Sequence, residues 1–123
     1  MAKVLGIGGV FFKSRDPKKL ADWYATWLGL EIDSTFGGTI FRPENLPDKA
    51  CTTWSPFKET SDYFKPSTRP YMINLVVDDL AEALQQVTMG GATLVGDPQD
   101  SEYGKFGWFM DPEGNKVELW EPK

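Results

Sequence analysis

Histidine is absent from this chain of 123 residues, and that absence removes several chemistries. A serine–histidine triad, a histidine general base and a histidine–carboxylate metal triad all need an imidazole. Cysteine is nearly absent too. The lone Cys51 has no intramolecular disulfide partner, which fits a reducing compartment and gives the expectation of a cytoplasmic protein. Its apolar neighbours suggest a small buried hydrophobe rather than a nucleophile. No apolar run approaches the roughly 20 residues that span a bilayer, and Met1–Leu5 lacks the apolar core of a signal peptide. Positive charge is in the minority, with 13 Lys and Arg against 18 Asp and Glu, a net charge of −5. Nucleic acids and anionic membranes select basic faces, so neither is an expected partner.

Apolar residues make up 41% of the chain and charged residues 25%, the balance of one soluble globular domain. The same plan then runs along the sequence twice. Val4–Lys13 reads as a strand. Asp16 and Pro17 supply a helix cap and a first-turn proline, Leu20, Trp23, Tyr24, Trp27 and Leu28 follow at helical spacing, and Gly29 closes the helix. Shorter extended pieces follow near Glu31–Asp33, Thr39–Phe41 and Ala50–Trp54. The second half opens with a strand at Tyr71–Val77. Asp79 caps a helix striped by Leu80, Leu84 and Val87, which Gly90 and Gly91 end. Strands are then expected at Ala92–Val95, Phe106–Met110 and Lys116–Trp120, with Asp111–Asn115 as the hairpin turn between the last two.

The ends of the halves also match. Trp54 and Pro56 recur as Trp120 and Pro122, 66 residues later. The reading is therefore α+β: two tandem βαβββ units, about 4–54 and 71–121, joined by an irregular surface segment 55–70 within one domain, 1–123. Packed together, the units would form a mixed, cup-shaped eight-stranded sheet with the helices outside.

Strand alternation divides the side chains. Val10, Phe12, Ile73, Leu75, Val117 and Leu119 should face the helices. Phe11, Met72, Asn74, Val76, Lys116, Glu118 and Trp120 should face the cup, with Thr52 and Trp54 joining them by the internal match and Trp108 and Phe106 across the hairpin. Apolar and aromatic residues with a few isolated polar groups describe a pocket lining rather than a solvated face.

The chain resembles the vicinal oxygen chelate superfamily of glyoxalase I, extradiol dioxygenases, and fosfomycin and bleomycin resistance proteins. Asp16–Gly29, Val76–Leu80 and above all Phe109–Leu119 carry the likeness, which is closest to uncharacterised glyoxalase-like single-domain members. The metal-dependent members place ligands at four cup-facing positions. Carried onto this sequence these are Gly9, Met72, Thr52 and Glu118, of which only Glu118 has a ligating carboxylate. The expectation is no metal and no cofactor.

Two functions follow. The first is metal-independent binding of an aromatic or cationic small molecule, as in the bleomycin-resistance group. Phe11, Trp54, Trp108 and Trp120 would then stack on the ligand, and Glu118 and Asn74 would orient it. Thr52, Met72 and Tyr103 would complete the contacts, Tyr103 from a glycine-flanked segment able to bend over the mouth of the cup. The alternative is a glyoxalase-like lyase or isomerase in which Glu118 is the general acid or base. The resemblance also implies a homodimer.

Overall fold

A computed structural model describes residues 1–123. Its first helix, α1, runs Pro17–Leu28. The Asp16 carboxylate accepts from the Lys19 backbone N–H at 3.2 Å, and Gly29, at φ 70°, ends the helix with its N–H on the Tyr24 carbonyl. The second half contains β1 (Ile73–Val76), α2 (Leu80–Met89), β2 (Thr93–Leu94), β3 (Gln99–Ser101), β4 (Gly104–Met110) and β5 (Lys116–Pro122). Asp79 caps α2 by accepting from the Glu82 N–H at 3.0 Å. The strands form one mixed sheet of order β1–β5–β4–β2, with β3 also paired to β4. β1 runs parallel to β5, and β4 antiparallel to it.

One core holds the helices on the sheet. Leu20 and Tyr24 of α1 and Leu80, Ala83, Leu84 and Val87 of α2 close over Phe109, Val117 and Leu119. Gly107 lets α2 approach closely, since a Cβ there would lie 3.0 Å from the Leu84 side chain. Trp23 Nε1 donates to the Gly90 carbonyl at 2.8 Å, and Gln86 Nε2 to the Trp27 carbonyl at 2.7 Å, so the two helices are also joined by polar contacts.

The β4–β5 turn forms where the sequence places it, and the buried Asp111 organises it. One carboxylate oxygen accepts from the backbone N–H groups of Glu113 and Asn115, both at 2.9 Å. The other accepts from the Tyr24 hydroxyl at 2.9 Å and from Asn115 Nδ2 at 2.8 Å. Glu113 reaches back to α1, accepting from the Ser14 hydroxyl at 2.6 Å and from the Arg15 and Asp16 N–H groups. These bonds hold the Glu113 carboxyl below its ordinary range. The turn thereby docks the start of α1 against a segment about a hundred residues away.

The first half departs from expectation outside its helix. The pieces expected as strands at 4–13, 31–33, 39–41 and 50–54 form no ladder; an isolated bridge between Asp33 and Gly38 and a 3₁₀ turn at Pro43–Asn45 are the regular features there. An apolar, β-prone segment becomes a strand only when a neighbour takes its N–H and C=O groups. Within this chain none does, although the outer edge of β1 is open. Val4, Leu5 and Phe11 are correspondingly exposed. Cys51 is exposed, not buried, because the strand expected to carry it inward is not formed. β3 is an addition. It turns 102–103 into the tip of a tight hairpin whose Gly104 has φ +130°, and a side chain there would collide with the Glu121 carbonyl.

Candidate ligand-binding site

The pleat of the second half sorts its residues by side. Val117, Leu119 and Phe109 lie under the helices. Glu118, between Asn74 on β1 and Trp108 on β4, takes the opposite face, and one step along the strand Trp120 sits between Val76 and Phe106. Phe106 and Trp120 stack nearly parallel, 8° apart with centroids at 6.1 Å. Trp120 Nε1 donates to the Tyr103 carbonyl at 2.9 Å.

Glu118 is the centre of this face and is only 8% exposed. Three donors meet its carboxylate. Asn74 Nδ2 donates to Oε1 at 2.7 Å, while Trp108 Nε1 at 2.8 Å and the Tyr63 hydroxyl at 2.6 Å both donate to Oε2. Tyr63 belongs to the segment 55–70, which crosses this face instead of looping away from it. Its ring meets Trp108 edge-on, with centroids 6.3 Å apart, and continues into Phe57 and Phe64. The Lys116 ammonium lies beneath, 5.1 Å from the Tyr63 ring centroid and 5.9 Å from that of Trp108, and donates to the Tyr63 carbonyl at 2.5 Å. Burial lowers the Lys116 pKa and the Glu118 charge opposes that shift.

The Tyr63 phenol is pushed up to about 12, first by burial and then by its bond to Glu118. Because this lies above the ordinary value of 10.0, the protonated phenol favours the folded state. Its contribution is complete below pH 10 and disappears as the pH rises through about 12. Ultraviolet titration of the wild type minus Tyr63→Phe should therefore show a tyrosine ionising near pH 12. A difference curve centred on pH 10 would mean that the phenol is not held by Glu118.

Of the residues expected at the site, Asn74 and Trp108 each donate to Glu118, and Met72 and Trp120 are half-buried. Tyr103 approaches only through its carbonyl, and its side chain is exposed. Phe11, Thr52 and Trp54 are not brought to the face: Phe11 is 95% and Trp54 78% exposed, since both belong to segments without ladder partners. Tyr63 was not foreseen. The signal for it is three aromatics, Phe57, Tyr63 and Phe64, inside a segment whose prolines mark it as a surface connection. Two cavities, of about 170 and 370 Å³, lie along the helices and include neither Trp108 nor Glu118.

A profile of the glyoxalase-like domain matches residues 9–120. The chain belongs to the glyoxalase-like domain family. No curated protein matches it. Among solved structures it is similar to TnmS3, an antibiotic binding protein from Streptomyces sp. CB03234, at 19% identity over 88% of both chains with a TM-score of 0.52. Similarity to TioX from Micromonospora sp. ML1 is 18% identity over 89% of this chain and 90% of that one, TM-score 0.51. A glyoxalase/bleomycin resistance protein/dioxygenase superfamily member from Sphaerobacter thermophilus DSM 20745 shows 26% identity over 86% and 88%, TM-score 0.49. Two further structures align over less than half of their own length and of this chain. The profile match makes the chain a glyoxalase-like member of the vicinal oxygen chelate superfamily, and its fold is α+β, with two helices on an open mixed sheet of five strands.

The metal that many superfamily members use does not fit the residues of this glyoxalase-like domain. No three Cys, Asp or Glu side chains converge. Glu118, the one carboxylate at an expected ligand position, already accepts from three N–H and O–H donors, and the other three positions, Gly9, Met72 and Thr52, offer no charged or imidazole ligand. No helix is long and apolar enough to cross a membrane.

Proposed function

We propose that this glyoxalase-like domain is a metal-independent binding protein of the bleomycin-resistance type, which holds an aromatic or cationic small molecule in an aromatic-lined cup. The observation that carries the reading is the state of Glu118. The carboxylate is buried, fixed from two sides by Asn74 and Trp108, and set among aromatic rings. A fixed acceptor on an aromatic floor orients a ligand, and Oε1, which accepts from Asn74 alone, keeps a lone pair for it. The lyase or isomerase alternative, with Glu118 as acid or base, gains no specific support from this geometry. The description of TnmS3 as an antibiotic binding protein agrees with the binding reading.

The cup proposed here has eight strands in two βαβββ units, about 4–54 and 71–121. The open edge of β1 and the unladdered, exposed segment 4–13 are complementary needs. Pairing them, within one chain or between the two chains of a homodimer, would bring Phe11, Thr52 and Trp54 toward Trp108 and Trp120. The exposed free thiol of Cys51 is at home in a reducing cytoplasm. No metal or other cofactor takes part.

Native mass spectrometry with a panel of cationic aromatic compounds tests the reading, and the expected result is a retained compound of unchanged mass. Trp108→Ala should then weaken binding about tenfold, the loss of one stacking partner worth about 1.4 kcal/mol. Equal affinity in the two proteins would remove Trp108 from the site, and a compound released with altered mass would favour the enzyme.

A further inference from the structure

The segment 55–70 does more than connect the halves. Between residues 55 and 66 it makes two hydrogen bonds to the sheet, and both belong to Tyr63: its hydroxyl donates to Glu118 Oε2, and its carbonyl accepts from Lys116 Nζ. The other hydrogen bonds of this stretch are local turns, such as Ser61 N–H to the Lys58 carbonyl and Lys65 N–H to the Asp62 carbonyl. No ladder ties the strap down, and Tyr63 itself remains 41% exposed. Tyr63 thus covers Glu118 with one side chain and one carbonyl, on a stretch that no ladder fixes to the sheet.

The contacts that Tyr63 makes define what must replace it. When it lifts, Trp108 Nε1 and Asn74 Nδ2 still hold Glu118, but Oε2 loses its shortest donor. Lys116 Nζ loses its carbonyl acceptor and one of its two aromatic faces. Each group is then one polar partner short, Oε2 keeping only Trp108 and Lys116 only the Trp108 face, so an occupant that restores both contacts is selected. It needs a hydroxyl at one end for Glu118, a flat ring to meet the edge of Trp108, and a carbonyl at the other end for Lys116. A cationic group near the Lys116 end would meet like charge.

We infer that Tyr63 is a built-in stand-in for the ligand, and that the site takes neutral phenols carrying a carbonyl or carboxamide on the chain opposite the hydroxyl, which bind by displacing the strap. This rests on the binding reading above and narrows its ligand class. The strap also acts as a competitor: a site closed for nine-tenths of the time binds about tenfold more weakly than the open one.

Calorimetric titration with N-acetyltyrosinamide, N-acetylphenylalaninamide and tyramine tests the inference on wild type and Tyr63→Ala. N-acetyltyrosinamide should bind Tyr63→Ala at least about tenfold more tightly than wild type. On Tyr63→Ala, removing the probe's hydroxyl should cost about tenfold, and tyramine, with its ammonium facing Lys116, should bind more weakly than the amide. A folded Tyr63→Ala that binds N-acetyltyrosinamide no more tightly than wild type, or binds both amides equally, overturns the inference. If circular dichroism shows Tyr63→Ala unfolded, Tyr63→Phe decides: N-acetyltyrosinamide should bind it a few-fold more tightly than wild type, and equal affinity overturns the inference. Ethidium separates the two levels. If it binds Tyr63→Ala and loses affinity on adding Trp108→Ala while the phenols fail, the ligand class is wrong and the cup stands. If no probe binds, both fall.

Discussion

Asp111→Ala is expected to lower the stability of the fold by about 4 kcal/mol, a fall in Tm of about 15 °C for a domain of this size. The substitution strands four donors at once: the Tyr24 hydroxyl, the Asn115 amide and the backbone N–H groups of Glu113 and Asn115. The two backbone groups sit in a turn and recover some water. The Tyr24 hydroxyl sits in the core beside Phe109 and recovers little. Asp111→Asn keeps one acceptor oxygen and should lose roughly half as much. Urea denaturation of the three proteins checks both values, and an alanine variant within about 1 kcal/mol of wild type would mean that the turn is held by backbone geometry alone.

Glu118→Ala should cost about 3 kcal/mol for a related reason. The buried Trp108 indole N–H and the Asn74 amide lose their acceptor, and the Lys116 ammonium, already disfavoured by burial, loses the charge that offsets it. The Tyr63 hydroxyl loses its acceptor as well, which removes one of the strap's two hydrogen bonds to the sheet, so the strap should become more sensitive to proteolysis while the helices remain in place. Limited digestion with chymotrypsin, which cuts after aromatic residues, reads this second effect. Cleavage near Tyr63 should be faster in the variant, and an unchanged rate would show that the strap is held by Lys116 and Trp108 rather than by the carboxylate.

These two carboxylates mark the limit of what the sequence makes legible. Both helices, with their Asp16 and Asp79 caps, and the Asp111–Asn115 hairpin are local objects, written in a few adjacent residues, and they fold where the sequence puts them. The two sides of β5 were likewise legible, because a period of two needs only the strand itself. The strands of the first half depend on a partner for their backbone groups, and no local pattern says whether the chain supplies one. β3 escaped because Gln99–Ser101 is polar and pairs only through its hairpin. Tyr63 escaped for the opposite reason. Its partner Glu118 lies 55 residues away, and prolines on either side advertise a loop, which conceals that the loop turns inward.

The placement of α1 has a consequence of its own. Its core partners all lie beyond residue 79, and between Tyr24 and Ser67 no side chain is fully buried. The helix therefore meets the rest of the fold much as a tethered ligand meets its receptor, at an effective concentration set by the length of chain between them. Doubling that length would weaken its docking by only about 0.6 kcal/mol. The stretch from Asp33 to Trp54 can thus lengthen, shorten or change sequence at little cost to the core, which leaves it free to be shaped by whatever the cup must hold.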